Sequence, residues 1–302
     1  MTAFLGEWAT RLMDRWLTAL VAPGLLWIAV VVVATRLGQD TPFRFRLVVD
    51  WLDGLAREPA LRSTAVVVLA AVAAVLAGGA VGQLAGFLGR VAERCWALPG
   101  ILPPASWLLA ARRRRWDRAT RRLREAVLRA TELGAEHADA GRADATALRR
   151  HRRRGRLGPG RPTRPTRVGD RYARTVERVR RVNGLDDLAL VWPRLWSVLP
   201  DSLRADVTAA RDSAGDAARL FGWGFLYLAV SVCWWPAALL GISVLAVATA
   251  RARSTGENLA TLIETAVDLH SVDLCAQLGL PSAPSAVAAG QAITDRLNNA
   301  SP

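Results

Sequence analysis

The chain has 302 residues and a formal net charge of +14, while 52% of its residues are hydrophobic. A basic protein that binds nucleic acid in solution is normally polar throughout, so this combination favours a membrane protein with a basic face. All 40 basic residues are arginine. The three cysteines are far apart, odd in number and form no CxxC pair, so no disulfide framework is expected.

Three long stretches without a charged residue are typical of membrane-spanning helices. They cover residues 16–35, 63–89 and 220–250. A helix needs about 20 apolar residues to cross a hydrocarbon core of roughly 30 Å. The first two windows predict two spans in an N-terminal membrane hairpin, residues 1–90, and the first is expected to be a retained anchor. Core helices of a soluble protein are the alternative, which three such windows in a short chain disfavour.

The third window is too long for one ordinary span and has Trp234, Trp235 and Pro236 at its centre. Tryptophan prefers the membrane interface and proline breaks a helix, so we expect a C-terminal membrane hairpin over residues 220–252. A single long, kinked helix is the alternative. The arginines beside the windows place both termini in the cytoplasm, as expected for a multi-pass plasma-membrane protein with about four spans.

The second window contains Gly78, Gly82 and Gly86, which recur every four residues. This spacing lines one helix face with small residues and predicts close helix–helix packing. The partner helix is either in the same chain or in a second copy of it. A helix that is merely rich in glycine and alanine is the alternative.

The region between the second and third windows is strongly basic. Residues 95–110 are apolar but interrupted by proline and glycine, so we expect the segment of residues 91–111 to lie in the membrane interface. Residues 112–219 are expected to form a cytoplasmic helical region, and residues 112–181 alone hold 24 arginines against 8 acidic residues. Residues 155–169 are rich in glycine and proline, which predicts a flexible linker. Asp170 is expected to cap the next helix, which should end at Asn183–Gly184.

Two arginine clusters stand out in this basic region. Their members are Arg112, Arg113, Arg114, Arg115, Arg149, Arg150, Arg152, Arg153 and Arg154. Basic clusters beside a membrane exit are attracted to anionic lipid headgroups, by about 1 kcal/mol per arginine. We therefore expect the clusters to bind anionic lipid, with an acidic protein partner as the second interpretation. Nucleic acid is the third, because residues 141–169 contain no aromatic side chain for stacking.

A hydrophobic segment on the cytoplasmic side, residues 184–200, carries the motif of Trp192, Pro193, Arg194 and Trp196. The proline is expected to prevent a continuous helix. The segment either lies on the bilayer or packs in a small domain, and we favour packing or contact with a partner. Residues 253–302 are expected to form a cytoplasmic helical tail.

Four stretches of the sequence are distinctive: RRRRWDRA, PTRVGD, GLDDLALVWPRLWSVLPDSLR and ARSTGENLATLIETAVDLHSVDLCAQLGLP. Together they resemble an uncharacterised family of actinobacterial multi-pass membrane proteins. The resemblance covers most of residues 90–281, and VWPRLW is its most specific part. It implies two spans, a basic cytoplasmic region, an interrupted apolar segment and a helical tail. It implies no catalytic residue, because the family has no established activity. The chain departs from it near Ser254, where members often carry tyrosine.

The sequence lacks the common motifs of catalysis and cofactor binding, including GxxxxGK[ST], GxSxG and HExxH. Asp268, His270, Asp273 and Cys275 resemble a set of metal ligands, but only His270 and Asp273 share a helix face. The three charge-free windows also lack histidine, which argues against an ion-coupled transporter.

These observations favour a non-enzymatic membrane scaffold or adaptor, which displays its basic region to anionic lipid and to a soluble protein partner. A membrane effector or pore is the second hypothesis, in which the glycine-rich second window assembles a homo-oligomer. An enzyme is the third, and it rests only on the cluster around His270. No metal or other cofactor is expected.

Overall fold

The computed structural model describes residues 21–57, 63–101, 103, 105–133, 140–280 and 285–299, and this part of the chain is all-helical without strands. It contains ten helices: α1 (Ala22–Leu37), α2 (Arg46–Arg57), α3 (Thr64–Ala97), α4 (Ala105–Leu133), α5 (Ala140–Gly155), α6 (Arg167–Asn183), α7 (Leu188–Val198), α8 (Asp201–Val230), α9 (Pro236–Gln277) and α10 (Ala286–Asn299). The predicted all-α fold is thereby confirmed for the described residues. Residues 16–20 of the first predicted span lie outside them.

Two helices, α3 and α9, are long and apolar enough to cross a membrane. The rest of the protein buries only 17% of the most apolar window of α3 and 22% of that of α9. A core helix of a soluble protein is mostly buried, whereas these helices present large apolar surfaces to their surroundings. Helix α1 is apolar too but shorter, with 16 described residues.

The chain divides into two compact units. The first consists of Met1–Glu93 and Asp212–Ala252, and the second of Arg94–Arg211 and Arg253–Pro302. Helices α3, α8 and α9 therefore each contribute residues to both units.

Small residues of α3 make close helix contacts in the first unit. Gly78 lies against Gly24 of α1, and Ala85 lies against Gly222 of α8. A Cβ at Gly24 or Gly222 would meet backbone atoms of α3 more closely than atoms can approach, so only glycine fits there. The helices packed on the small-residue face of α3 therefore belong to the same chain.

The buried face of α3 differs from the predicted one at its third position. Its buried residues are Gly78, Gly79, Gly82, Ala85, Gly89 and Ala92. Steps of four and three residues follow the helical turn of 3.6 residues, whereas a strict spacing of four drifts by about 40° at each step. Gly86 therefore lies outside the buried face. The atom nearest to a Cβ added there is Nη1 of Arg90, at 3.7 Å. Gly86 lies beside the face that α1 and α8 cover.

The apolar window of residues 220–250 contains two helices, not one kinked helix. Pro236 begins α9, where the missing N–H of proline costs no helical hydrogen bond. The preceding turn is held by Gln39, whose Nε2 donates to the carbonyl of Ser231 at 3.0 Å and whose Oε1 accepts from N–H of Trp235 at 3.2 Å.

Helices α8 and α9 run antiparallel and pack closely within the first unit. A Cβ added at Gly224 of α8 would lie 2.6 Å from Cγ of Leu245, and one added at Gly241 of α9 would lie 2.8 Å from N of Leu228. Glycine at these two positions therefore allows the pair to approach, as small residues do in membrane helix pairs.

The second unit has a hydrophobic core whose members are distant in the sequence. Its large side chains with no exposed surface are Val179 of α6, Val191 and Leu195 of α7, Val267 of α9 and Ile293 of α10. Burying each of them contributes about 1.5–3 kcal/mol. The predicted helical tail therefore contributes Val267 and Ile293 to a core that it shares with residues 179–199.

Helix α7 is continuous through Pro193, contrary to the prediction. Asp187 caps it, because its carboxylate accepts from two backbone N–H groups of the first turn at 2.9 and 3.2 Å. Proline inside a helix costs about 3 kcal/mol. Burial of Val191 and Leu195 contributes a similar or larger amount, which keeps the helix intact.

A basic groove and an arginine pocket in the second unit

Helices α4 and α5 lie side by side and run in opposite directions. Nη1 of Arg150 in α5 donates to the carbonyl of Arg122 in α4 at 2.8 Å. One helical turn further, the guanidinium of Arg154 lies 4.9 Å from the centre of the Trp116 ring, a cation–π contact. Both contacts fix the register of the helix pair.

An open groove of about 760 Å³ runs along this helix pair, and we call it the basic groove. Its charged lining residues are Arg115, Arg118, Arg122, Arg150, Arg153 and Glu125. Five positive charges against one negative charge produce a strongly positive potential, which attracts anions.

The nine arginines predicted as binding residues divide into three groups. Arg112 pairs with Asp170 at 2.7 Å, and Arg113 donates to the carbonyl of Pro162 at 3.0 Å, so both hold the fold together. The side chains of Arg149, Arg150 and Arg154 donate to neighbouring oxygen atoms. The remaining guanidinium groups form no hydrogen bond or ion pair with the described residues: Arg114, Arg115, Arg152 and Arg153.

The loop after α5, residues 156–166, is held by the buried carboxylate of Asp170. Its Oδ1 accepts from the backbone N–H groups of Thr163 at 2.8 Å and Arg164 at 2.7 Å. Its Oδ2 accepts from Arg112, which also donates to the carbonyl of Arg164. The predicted flexible linker is therefore a loop fixed by specific hydrogen bonds.

Helix α6 begins earlier than predicted. Thr166 is its N-cap, because Oγ1 accepts from N–H of Gly169 at 3.0 Å, and Asp170 lies within the first turn instead. The predicted end is confirmed, since Gly184 follows Asn183 with φ of 70° in the left-handed region that favours glycine.

A smaller cavity of about 210 Å³ lies where the start of this loop meets α6 and α9, and we call it the arginine pocket. Its charged lining residues are Arg112, Arg156, Arg167, Arg171, Arg174, Arg253, Asp170 and Glu257. Desolvation lowers the pKa of Arg167, and the positive charges of Arg253 and Arg112 lower it further. The pocket therefore concentrates positive charge without enough carboxylates to balance it.

Beside the pocket, α6 and α9 are joined by a network of ion pairs. Nη1 of Arg171 donates to Oε1 of Glu264 at 2.6 Å, and Oγ1 of Thr175 donates to the same atom at 2.8 Å. Arg178 binds both carboxylate oxygens of Asp268, at 2.9 and 3.2 Å. Burial raises the pKa of Glu264, but the hydrogen bonds from Arg171 and Thr175 and the charges of Arg171 and Arg178 outweigh burial and lower it.

The residues that resemble metal ligands are separated in the structure. Nδ1 of His270 lies 2.8 Å from Oδ2 of Asp273, whereas Asp268 pairs with Arg178 and Cys275 is buried in the core. No group of three or more histidine, cysteine, aspartate or glutamate side chains suited to a metal ion occurs among the described residues.

The segment predicted to lie in the membrane interface exposes several large apolar side chains, which we call the Trp107 patch. The exposed fractions are 45% for Leu98, 78% for Ile101, 71% for Trp107 and 57% for Leu108. Helices α3 and α4 extend into this segment from both sides, so only residues 98–104 connect them.

The segment with two tryptophans packs in the second unit. The rings of Trp192 and Trp196 are half-buried against the core with their centres 5.9 Å apart. Pro193 and Arg194 are exposed, and Nη1 of Arg194 donates to the carbonyl of Leu190 at 2.8 Å.

Sequence reasoning missed several arginines of both sites. Arg118 and Arg122 follow Arg115 at helical spacing, and this periodicity could have found them. Arg167 and Arg253 are 86 positions apart in the sequence, and no local pattern links them.

No protein-family model matches the chain, and no curated protein or solved structure matches it. The resemblance to actinobacterial membrane proteins is therefore carried by the sequence motifs alone.

Proposed function

We propose that this chain is a multi-pass membrane protein with about four spans. In this proposal α1 with α3 and α8 with α9 form two membrane hairpins, and the second unit and both termini are cytoplasmic. The exposed apolar windows of α3 and α9 support it, since lipid would cover them. Membership in the actinobacterial family that the motifs resemble is part of the same proposal.

The function that the geometry supports best is a scaffold whose basic groove binds anionic lipid headgroups. The observation that carries this proposal is the excess of arginine over glutamate in the groove, where Arg115 and Arg153 have no carboxylate partner in the described part of the chain. Each arginine near an anionic surface contributes about 1 kcal/mol. A guanidinium also binds phosphate oxygens in a bidentate manner.

The Trp107 patch favours lipid over the other anionic partners. Trp107 and Leu108 follow the exposed Ile101 in the chain, and all three leave apolar surface in contact with water. Tryptophan and aliphatic side chains gain free energy in the headgroup region of a bilayer, whereas the phosphate backbone of duplex DNA offers them no apolar surface.

The pore hypothesis has less support. It needs a free small-residue face on α3 for assembly, and α1 and α8 of the same chain cover that face at Gly78 and Ala85. In the scaffold proposal the lipid-bound second unit recruits a soluble protein partner and carries out no reaction itself.

Lipid binding can be tested with the full chain in nanodiscs of phosphatidylcholine. We expect vesicles with 30% phosphatidylserine to bind these discs at low salt, and we expect neutral vesicles not to bind. Binding should weaken as salt rises, because the attraction is screened over about 8 Å at physiological ionic strength. Arg115→Gln/Arg122→Gln/Arg153→Gln should remove about 3 kcal/mol of the binding free energy.

The control variant Arg180→Gln/Arg181→Gln/Arg194→Gln removes the same charge outside the groove. It should retain most of the binding, because Arg180 and Arg181 already pair with Glu177. An equal loss in both variants would mean that net charge alone attracts the vesicles. Displacement of the vesicles by duplex DNA of matched charge at 150 mM salt would contradict the lipid proposal.

Two native cysteines test the span number. Cys95 and Cys233 are both exposed, and four spans place them on opposite sides of the membrane. A membrane-impermeant maleimide should label Cys233 in intact cells and Cys95 only after permeabilisation. Labelling of both from one side would contradict the proposed arrangement.

A further inference from the structure

The arginine pocket holds more positive charge than its own carboxylates neutralise. Arg112 pairs with Asp170, and Arg171 pairs with Glu257 and Glu264. The other four guanidinium groups form no ion pair with any described residue: Arg156, Arg167, Arg174 and Arg253. Like charges that converge on one cavity repel each other, and a bound anion would relieve this repulsion.

The walls of the pocket suit a compact anion. A volume of about 210 Å³ is smaller than the 300–1,000 Å³ typical of sites for drug-sized ligands. Gly158, with φ of +117°, has no side chain to fill the cavity, and a Cβ there would approach Nη1 of Arg174 to 3.9 Å. Arg167 is the first residue of α6, and this end of the helix adds partial positive charge.

We propose that the arginine pocket binds a phosphate monoester or a pyrophosphate group. Planar guanidinium groups from two helices, Arg167 of α6 and Arg253 of α9, can each contact two oxygen atoms of one such group. A single carboxylate carries one negative charge and two oxygen atoms, so it matches this lining less well. The group belongs either to a lipid headgroup or to a soluble phosphorylated molecule.

This proposal is independent of lipid binding by the basic groove. The charged residues of the groove lie on α4 and α5, whereas the free guanidinium groups of the pocket are supplied by the loop, α6 and α9. Failure of one proposal therefore leaves the other standing.

The probe for the test is inorganic pyrophosphate, titrated calorimetrically into the full chain in phosphatidylcholine nanodiscs at 150 mM salt. We expect one saturable site. Arg167→Gln/Arg253→Gln should weaken binding at least tenfold. Arg114→Gln/Arg152→Gln removes the same charge from α4 and α5 and should change the affinity less than threefold.

A second measurement separates loss of the site from loss of the fold. In a Cys95→Ser/Cys233→Ser background Cys275 is the one remaining cysteine, and because it is buried in the core of the second unit, its reaction with a thiol reagent reports unfolding. Pyrophosphate at one hundred times Kd should slow this reaction about 100-fold in the parent chain and leave its rate unchanged in Arg167→Gln/Arg253→Gln. The pocket variant without ligand should react as slowly as the parent chain.

Discs that contain phosphatidic acid identify the source of the phosphate group. If this lipid abolishes pyrophosphate binding, the pocket takes a headgroup, and if it does not, the pocket takes a soluble ligand. Absence of saturable pyrophosphate binding in both kinds of disc would overturn the proposal. An equal loss of binding in the two double variants would also overturn it, because binding would then depend on net charge alone.

Discussion

Asp170 provides the sharpest test of how the second unit is held together. Its side chain is 8% exposed, and its carboxylate accepts hydrogen bonds from two backbone N–H groups, from Oγ1 of Thr163 and from Arg112. Asp170→Ala removes all four interactions at once. The arginine loses its charged partner, and the backbone N–H groups of Thr163 and Arg164 lose their acceptor.

The expected cost follows from these contacts. Removing one partner of a buried ion pair typically costs about 3–5 kcal/mol, and a buried donor without an acceptor costs about 1–3 kcal/mol. These contributions overlap, because Arg112 is partly exposed and keeps its bond to the carbonyl of Arg164. We therefore expect Asp170→Ala to lower the free energy of unfolding of the second unit by about 3–5 kcal/mol.

Thiol labelling of Cys275 measures this loss directly. As in the pyrophosphate experiment, Cys95 and Cys233 are first replaced by serine, so that the one remaining cysteine lies in the core of the second unit. A loss of about 3–5 kcal/mol raises its labelling rate by roughly two to three and a half powers of ten. Asp144→Ala removes an exposed carboxylate of α5 and should change stability by less than about 0.5 kcal/mol.

Leu195→Ala is the positive control, because a fully buried leucine replaced by alanine costs about 2–5 kcal/mol. If Leu195→Ala accelerates labelling and Asp170→Ala does not, the carboxylate does not stabilise the unit and our reasoning is wrong.

Two further predictions concern a carboxylate and a glycine face. The lowered pKa of Glu264 stabilises the fold above the unfolded value of about 4.3, and this stability is lost as pH falls through the lower folded pKa. Glu264→Gln should therefore lose less stability than the parent chain as pH falls from roughly 5 to 3, as measured by unfolding followed by circular dichroism. Parallel curves of stability against pH for the two chains would contradict this. Gly89→Leu should cost about 1–3 kcal/mol in a thermal melt in detergent, because a Cβ there would lie 2.7 Å from the carbonyl oxygen of Ala218. Gly86→Leu, off the packed face, should change the melting temperature very little. Equal melting temperatures for both variants would contradict the assignment of Gly89 to the packed face of α3.

Individual helices could be predicted from the periodicity of the sequence. The errors in their caps and continuity have physical causes. The apolar windows led to α3 and to the break between α8 and α9. The cap of α6 was assigned to Asp170 because aspartate and threonine both accept from a free N–H, and only the loop contacts decide between them. The helix through Pro193 was missed because local propensity opposes it and burial in a distant core stabilises it.

The two candidate sites, the basic groove and the arginine pocket, were even harder to predict from local sequence patterns. Arg114 and Arg115 could be selected as free arginines from their position after an apolar window, but Arg112 and Arg113 looked identical to them. What separates these pairs is the loop carrying Pro162 and Asp170, which lies about 50 positions further along the chain. The arginine pocket needs contacts between residues that are even farther apart, so charge counts along the sequence could not reveal it.

The core of the second unit also sets an order of events during synthesis. Val191 of α7 and Val267 of α9 are 76 positions apart, and both are fully buried in that core. At about 5–20 residues per second, the ribosome completes α7 about 4 to 15 seconds before its partner in α9. The apolar window of residues 220–250 is made in this interval. The core side chains of nascent α7 therefore lack their partners from α9 during this interval, and the complete core of the second unit can form only after that window has been translated.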